Sequence, residues 1–488
     1  MSGLDQLPGG RAPAARRGPP GVRRAGSGAS RYAILAGGAA AAAALTAATA
    51  SDVRLGVAAV VALAVLGLVL EDVALGVAAI AVMAFLARLP AVGVAPTALL
   101  LLVAVGWWAV GRGRARAERS AVAGHGLFAA AVLGLVLWCA LSLAWAQRAA
   151  PGQAKLGDWL VAAGLCGIVA SSVIEARHVR AVLYGFVGGA VFSVLLGLTT
   201  RWSLLGGTLT SETSFDGRLQ GGAGDPNFLA AGLVAAGALA GGLLVASGRR
   251  AERRALVGAL ATLLVGLGAT QSRGGIVAAA VTASLAIVLA RGARARAALA
   301  VGAIAALVVA ALVLSPGGVK RVTTGDAQGT GRVELWRVAT RMVAERPLLG
   351  VGLANYRVRS GEFVRAPGAL RSVDLIASKP HEVHNTYLQL AAETGLPGVL
   401  AFVLVAGMAV RSAWHADRRF DALGERGLAA TARGVLLATV GNMNRCRFRT
   451  EFNVPDVRPG TYKIRTFVYF EGGYGWFGWH RFTVEAAP

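Results

Sequence analysis

The stretch HNTYLQLAAETGLPG at 384–398 places His384 and Asn385 ahead of a Gly-x-x-Gly pair, Gly395 and Gly398, with nine residues between Asn385 and Gly395. An imidazole, with an ordinary pKa of about 6.5, is well matched to taking a proton from a hydroxyl near neutral pH. Asn385 is placed either to orient that imidazole through its amide or to cap the helix that follows. His381, three residues upstream, is a supporting residue that could relay a proton. No third ligand stands beside it at a convincing spacing, so no metal site is expected.

Two further stretches set cations among glycines. RLQGGAGDPNFLA at 218–230 opens on Arg218, and QSRGG at 271–275 holds Arg273. A guanidinium presents a planar fork of donors that grips phosphate oxygens bidentately, and it keeps its charge in a membrane setting. The glycines after Arg218 allow a backbone to approach a ligand. Asp225, Pro226 and Asn227 begin the next helix, and they serve either the site or that helix start alone. Arg273 interrupts an otherwise apolar stretch. A charge facing lipid at depth costs about 2.5 kcal/mol or more, so it faces a cavity or the interface, with snorkelling to headgroups as the alternative.

The elements that position these residues are membrane helices. Of the 488 residues, 55% are hydrophobic and 15% charged, against about 25% charged in soluble domains. The mean hydropathy is +0.59. These values exclude an ordinary soluble protein and describe a polytopic membrane protein. The net charge of +24 is dispersed in short arginine clusters between apolar runs, which argues against a nucleic-acid partner. With the N-terminus inside, the segments before 32 and at 112–124, 175–180, 249–254, 291–296 and 411–426 hold 23 Arg. The short outer loops hold seven Arg or Lys: Arg54, Arg88, Arg148, Lys155, Arg201, Arg218 and Arg273. That is the positive-inside bias, broken only by the acidic turn at Glu71 and Asp72. The scattered Cys139, Cys166 and Cys446 form neither a disulfide framework nor a metal motif.

Apolar runs long enough to cross or nearly cross a hydrocarbon core recur near 32–50, 55–70, 73–88, 93–111, 125–146, 158–174, 181–199, 227–247, 255–270, 275–290, 298–314 and 395–410. The expected fold is therefore all-α and polytopic, with about 12 transmembrane helices. Residues 1–31 form a disordered basic leader on the cytoplasmic side, and 32–314 the transmembrane helical domain. Residues 315–394 form a long extracytoplasmic loop carrying the histidine motif, and 395–441 the closing transmembrane segments. In that last piece Arg433 makes LAATARGVLLATVG a poor span unless the chain tilts or the arginine snorkels. From 442 to 488 the chain changes character: 11 of 47 residues are aromatic, and alternation replaces helical runs. Pro-Gly at 459–460 and Gly-Gly at 472–473 punctuate three expected strands of a β-rich extracytoplasmic tail.

The three quoted motifs, in this order, resemble the O-antigen ligase and O-antigen polymerase superfamily of membrane glycosyltransferases. The resemblance spans roughly residues 120–410. It adds Arg332, ahead of an ELW segment, as a third phosphate cation, and the PLLGVGL stretch at 347–353 with Asn355 and Tyr356. No Walker lysine follows those glycines, which are expected to shape a turn. The resemblance implies a GT-C-like fold in a bacterial cytoplasmic membrane, with the active site outside. It also implies transfer of a glycan from a polyprenyl diphosphate to a glycan, lipid or protein hydroxyl, inverting and without metal or cofactor. His384 and Asn385 would be catalytic, Arg218, Arg273 and Arg332 would bind the diphosphate, and Asp225, Asn227, His381, Gly395 and Gly398 would support them. The tail after 442 departs from the family, whose members continue with further helices, and is expected to be a fusion or chimeric fragment.

A glycolipid transporter or flippase is the rival reading, with an inactive chimeric membrane protein as the third. A transporter would carry ionisable groups near the bilayer midplane on broken helices in two related halves. Here the candidate residues gather at the outer ends of helices and no internal repeat is evident.

Overall fold

The computed structural model describes residues 63–86, 103–104, 126–173, 175–201, 214–215, 217–289, 302, 305, 332–364, 382–424, 426–442, 460–470 and 473–484. The main helices are α1 (Val73–Met83), α2 (Gly126–Leu141), α3 (Ala149–Ser172), α4 (Ala176–Arg201), α5 (Pro226–Ala246), α6 (Arg250–Ala269) and α7 (Arg273–Leu289). They continue with α8 (Arg332–Glu345), α9 (Tyr356–Val364), α10 (Thr386–Ala422) and α11 (Arg426–Asn442). Among the described residues five helical stretches are long and apolar enough to cross a membrane: Gly126–Trp145, Ala149–Ser172, Ala176–Thr199, Pro226–Ala246 and Thr386–Ala422. The chain is an all-α membrane protein in this part. The expected run at 32–50, and most of those at 93–111 and 298–314, lie outside the described residues.

The larger core gathers α4, α5, α6 and α11, around Leu229, Leu233, Leu243, Leu263 and Leu267. Small residues let its helices approach closely. A Cβ on Gly242 of α5 would stand 2.7 Å from the Ala430 carbonyl oxygen of α11, and one on Gly434 would stand 3.0 Å from the Ala238 oxygen. Such glycine crossings replace the hydrophobic drive that lipid cannot supply between helices. Arg433 does not snorkel: its Nη2 donates to Asp417 Oδ1 of α10 at 2.7 Å, and Asp417 is only 1% exposed. The acidic turn also finds a reason here. Asp72 caps α1 by accepting from the Ala74 N–H, and its other oxygen lies 2.9 Å from Nε2 of the buried His178 on α4.

The described part of the segment expected as a long loop is largely helical. α8 buries Leu335, Val338, Ala339 and Met342 against Val351, Tyr356 of α9, Val383 and Ala392 of α10. Arg341 points back into this unit, donating to the Phe363 carbonyl at 2.7 Å. The helix expected from 395 begins nine residues earlier, at Thr386, and breaks at Gly395, whose φ of 71° and ψ of −176° are not helical. Pro397 follows in the first turn of the second piece, where a missing N–H is harmless. That piece runs on to Ala422, through most of the segment read from sequence as a loop at 411–426. In the tail, β3 (Gly460–Phe470) and β4 (Gly473–Val484) pair antiparallel; the first expected strand lies outside the described residues.

Candidate functional site

The first set of motif residues meets where β2 (Arg218–Leu219) enters α5 and where α6 turns into α7. Arg218 is buried, with Nε donating to the Thr270 carbonyl at 2.9 Å and Nη2 to Asn227 Oδ1 at 3.1 Å. Asn227 Oδ1 also accepts from the Ser272 hydroxyl at 2.9 Å, and Ser272 Oγ receives the Gly275 N–H at the start of α7. Two connections are thus tied by one guanidinium and one amide. Asp225 caps α5, accepting from the Asn227 and Phe228 N–H groups at 2.7 and 2.9 Å. The glycines between them serve packing. Gly221 lies against Ser193 of α4 with φ of 54°, and the Gly222 N–H donates to the Ser193 hydroxyl at 2.9 Å. Arg273 is exposed at the first residue of α7.

The second set is built around the start of α10. Asn385 is its N-cap, accepting from the Leu388 N–H at 3.2 Å. His384, half-buried, precedes the cap with φ of 57°. Trp336 of α8 fixes this approach by donating to the Val383 carbonyl at 2.9 Å. The turn after α8 docks on the end of the first piece of α10. Val351 and Gly352 N–H groups donate to the Ala392 and Glu393 carbonyls at 2.9 and 2.8 Å, and Leu396 N–H to the Pro347 carbonyl at 2.8 Å. Gly350 and Gly352 take φ of 65° and 94°, and a Cβ on Gly350 would stand 2.5 Å from Glu393 backbone atoms. Gly395 and Gly398 are needed in the same way. Their Cβ atoms would meet the Leu348 carbonyl at 2.3 Å and Thr394 Oγ1 at 1.9 Å.

Glu393 is the residue the sequence reading missed. Its side chain is buried, with Oε2 accepting the Ala354 N–H at 2.9 Å and Oε1 the Gln389 amide at 3.1 Å. The signal was available, since a carboxylate inside the apolar run LQLAAETG needs a built partner. Asn355 locks the neighbouring corner by accepting the Arg148 N–H and donating to the Arg148 carbonyl, both at 2.9 Å. Burial first, and then the Glu393 charge, push the Tyr356 hydroxyl up. It therefore stays a donor, to the Leu335 carbonyl at 2.9 Å. Arg332 is the first residue of α8, and His381 lies outside the described residues.

Helix direction relates the two sets. α11 begins where α5 ends, with the Gly427 Cβ position 3.7 Å from the Ala246 carbonyl oxygen, and a short turn at 423–424 joins it to α10. α10 runs into that end from the opposite one, where α5 and α7 begin. Arg218, Arg273 and His384 thus belong to one end of the bundle. Each set also holds a non-glycine residue in the left-handed region, Gln271 at 50° in the first and Ala354 and His384 at 55° and 57° in the second. Such backbone is costly and concentrates at working sites.

Residues 258–403, which include Arg273, Arg332, His384 and Glu393, match the family model described as O-antigen ligase. This segment is similar to O-antigen ligases. No curated protein matches the chain. The matched segment opens within α6 and closes inside the second piece of α10, so it contains both the α6–α7 turn and the histidine unit. Arg218 and Asn227 lie ahead of it and join it through Thr270 and Ser272.

Proposed function

We propose that the chain transfers a glycan from a polyprenyl diphosphate to an acceptor hydroxyl at the outer face of a bacterial cytoplasmic membrane. Glycosyl transfer from such a donor needs a base for the acceptor hydroxyl and cations for the departing diphosphate. His384 takes the acceptor proton. The acceptor oxygen bonds to the anomeric carbon as the bond to the diphosphate oxygen breaks, which inverts that carbon. The diphosphate leaves with its negative charge met by Arg273 and Arg332. Arg218 anchors the α6–α7 turn from beneath and adds its charge to the same end of the bundle. No metal is assigned a part. The observation that carries this reading is the convergence of His384 and Arg273 on one bundle end, within a segment matching the O-antigen ligase family.

The test is transfer in membranes of cells lacking a native activity of this kind, with polyprenyl-linked glycan and transferred glycan both measured. Intact protein consumes donor. His384→Ala lowers transfer by about 10²–10⁴-fold, the usual contribution of a positioned acid or base, and Arg273→Ala lowers it by a comparable margin, both at normal expression. Transfer by His384→Ala at the intact rate would remove the histidine from the mechanism. A glycolipid whose leaflet changes without any new glycosidic bond would instead favour the transporter reading.

A further inference from the structure

One charged pair lies inside a helix long and apolar enough to span the membrane and takes no part in the chemistry above. Lys155 and Asp158 stand on one face of α3, with Nζ and Oδ2 3.4 Å apart and side chains 21% and 22% exposed. They sit about 9 to 14 Å along the helix from its start at Ala149. Ionisable groups on a helix of this kind are expensive wherever they face lipid, and they mark working surfaces. Asp158 Oδ2 is closed from solvent and faces the Lys155 ammonium.

The surroundings point to the occupant. Trp159, next on the helix and half-buried, meets Phe402 of α10 edge to face at a centroid distance of 6.2 Å, and Phe402 meets Tyr387 in the same way at 5.8 Å. Tyr387 is three residues past His384, on the first turn of α10. The start of α3 is itself locked to the histidine unit, through Arg148 on Asn355 and through Gly152, whose Cβ position lies 2.8 Å from the Leu353 carbonyl. A carboxylate, an ammonium and half-exposed aromatic rings in a single wall are suited to a sugar ring. The carboxylate accepts from hydroxyls, the ammonium donates to ring and hydroxyl oxygens, and an aromatic face covers the apolar C–H side.

We propose that Lys155, Asp158 and Trp159, joined to Tyr387 through Phe402, form a sugar-binding subsite on the wall of the His384 site. This inference rests on the glycan-transfer reading. The sugar is either the acceptor residue whose hydroxyl His384 deprotonates or the donor's residue next to the diphosphate, and both present the same hydroxyl chemistry.

The test is binding, which does not require turnover. Full-length chain in nanodiscs is titrated calorimetrically with two lipid-free oligosaccharides, one the repeat unit of the donor and one a core glycan. Intact protein binds at least one. Asp158→Asn, isosteric and uncharged, raises that Kd about tenfold, the worth of one hydrogen bond to a charged group, and Trp159→Phe raises it several-fold. The oligosaccharide whose affinity falls identifies the source as donor or acceptor. If the intact chain binds neither, or if Asp158→Asn and Trp159→Phe bind as the intact chain does, the subsite is wrong. Transfer measured on the same intact preparation separates that result from failure of the catalytic reading, since a chain that transfers glycan while its variants bind unchanged keeps its function and loses only this subsite.

Discussion

At the residue scale, much of the histidine site is backbone held by side chains. His384 and Ala354 occupy left-handed conformations that a non-glycine residue adopts only when its surroundings over-determine it. For Ala354 that determinant is the Glu393 carboxylate. Glu393→Ala would leave a part-buried N–H without an acceptor, which costs about 1–3 kcal/mol. The expected result is a lower unfolding midpoint in detergent together with reduced transfer, whereas Glu393→Gln keeps the acceptor oxygen and recovers most of both. Equal midpoints for Glu393→Ala and intact protein would show that this bond contributes nothing. His384 and Asn385 were legible from type and spacing. Glu393 was legible only as an oddity, because its worth depends on Ala354, 39 residues away in sequence.

At the element scale, the decisive feature is the break in α10. Nine residues of helix carry Tyr387, Gln389 and Glu393 to the turn at 347–355, and Gly395 then redirects the chain into the long second piece. The sequence showed two glycines and a proline, which imply irregular backbone. It could not show that the first glycine adopts φ of 71° because the Leu348 carbonyl stands where a Cβ would go. Gly395→Ala combines that collision with left-handed strain and is expected to destabilise by about 2 kcal/mol or more. The loss should appear in thermal unfolding and as faster proteolysis between α9 and α10. A variant as stable and as protease-resistant as the parent would mean that the turn can shift away at no cost. The same logic explains why 315–394 read as a loop. Its described part is a small helical unit whose apolar face is met by α10, a partner that local periodicity cannot reveal.

At the scale of the whole molecule, α11 fastens α10 to the core that carries Arg218 and Arg273. It crosses α5 at Gly242 and Gly434 and holds α10 through Asp417 and Arg433. Gly434→Leu should separate the helices and lower the yield of folded protein and its unfolding midpoint, while Gly258→Leu, with nothing within 4 Å of its Cβ position, should be tolerated. Asp417→Ala leaves the Arg433 charge poorly compensated. Because Arg433 keeps 23% exposure, the loss should fall below the ~3 kcal/mol of a fully buried pair. Adding Arg433→Ala should return part of that loss, and strict additivity in the double variant would exclude coupling between the two. The sequence by itself determined the membrane class, the resemblance to O-antigen ligases through three ordered motifs, and the types of residue able to act, because apolar composition and motif spacing are local properties of the chain. Only the tertiary structure decided that Arg433 pairs with Asp417, that Arg218 clamps Asn227 and Thr270, and that the histidine and the arginines share one end of the bundle. Each of those facts depends on which helix lies beside which, and contacts between residues far apart in the chain leave no trace in its local pattern.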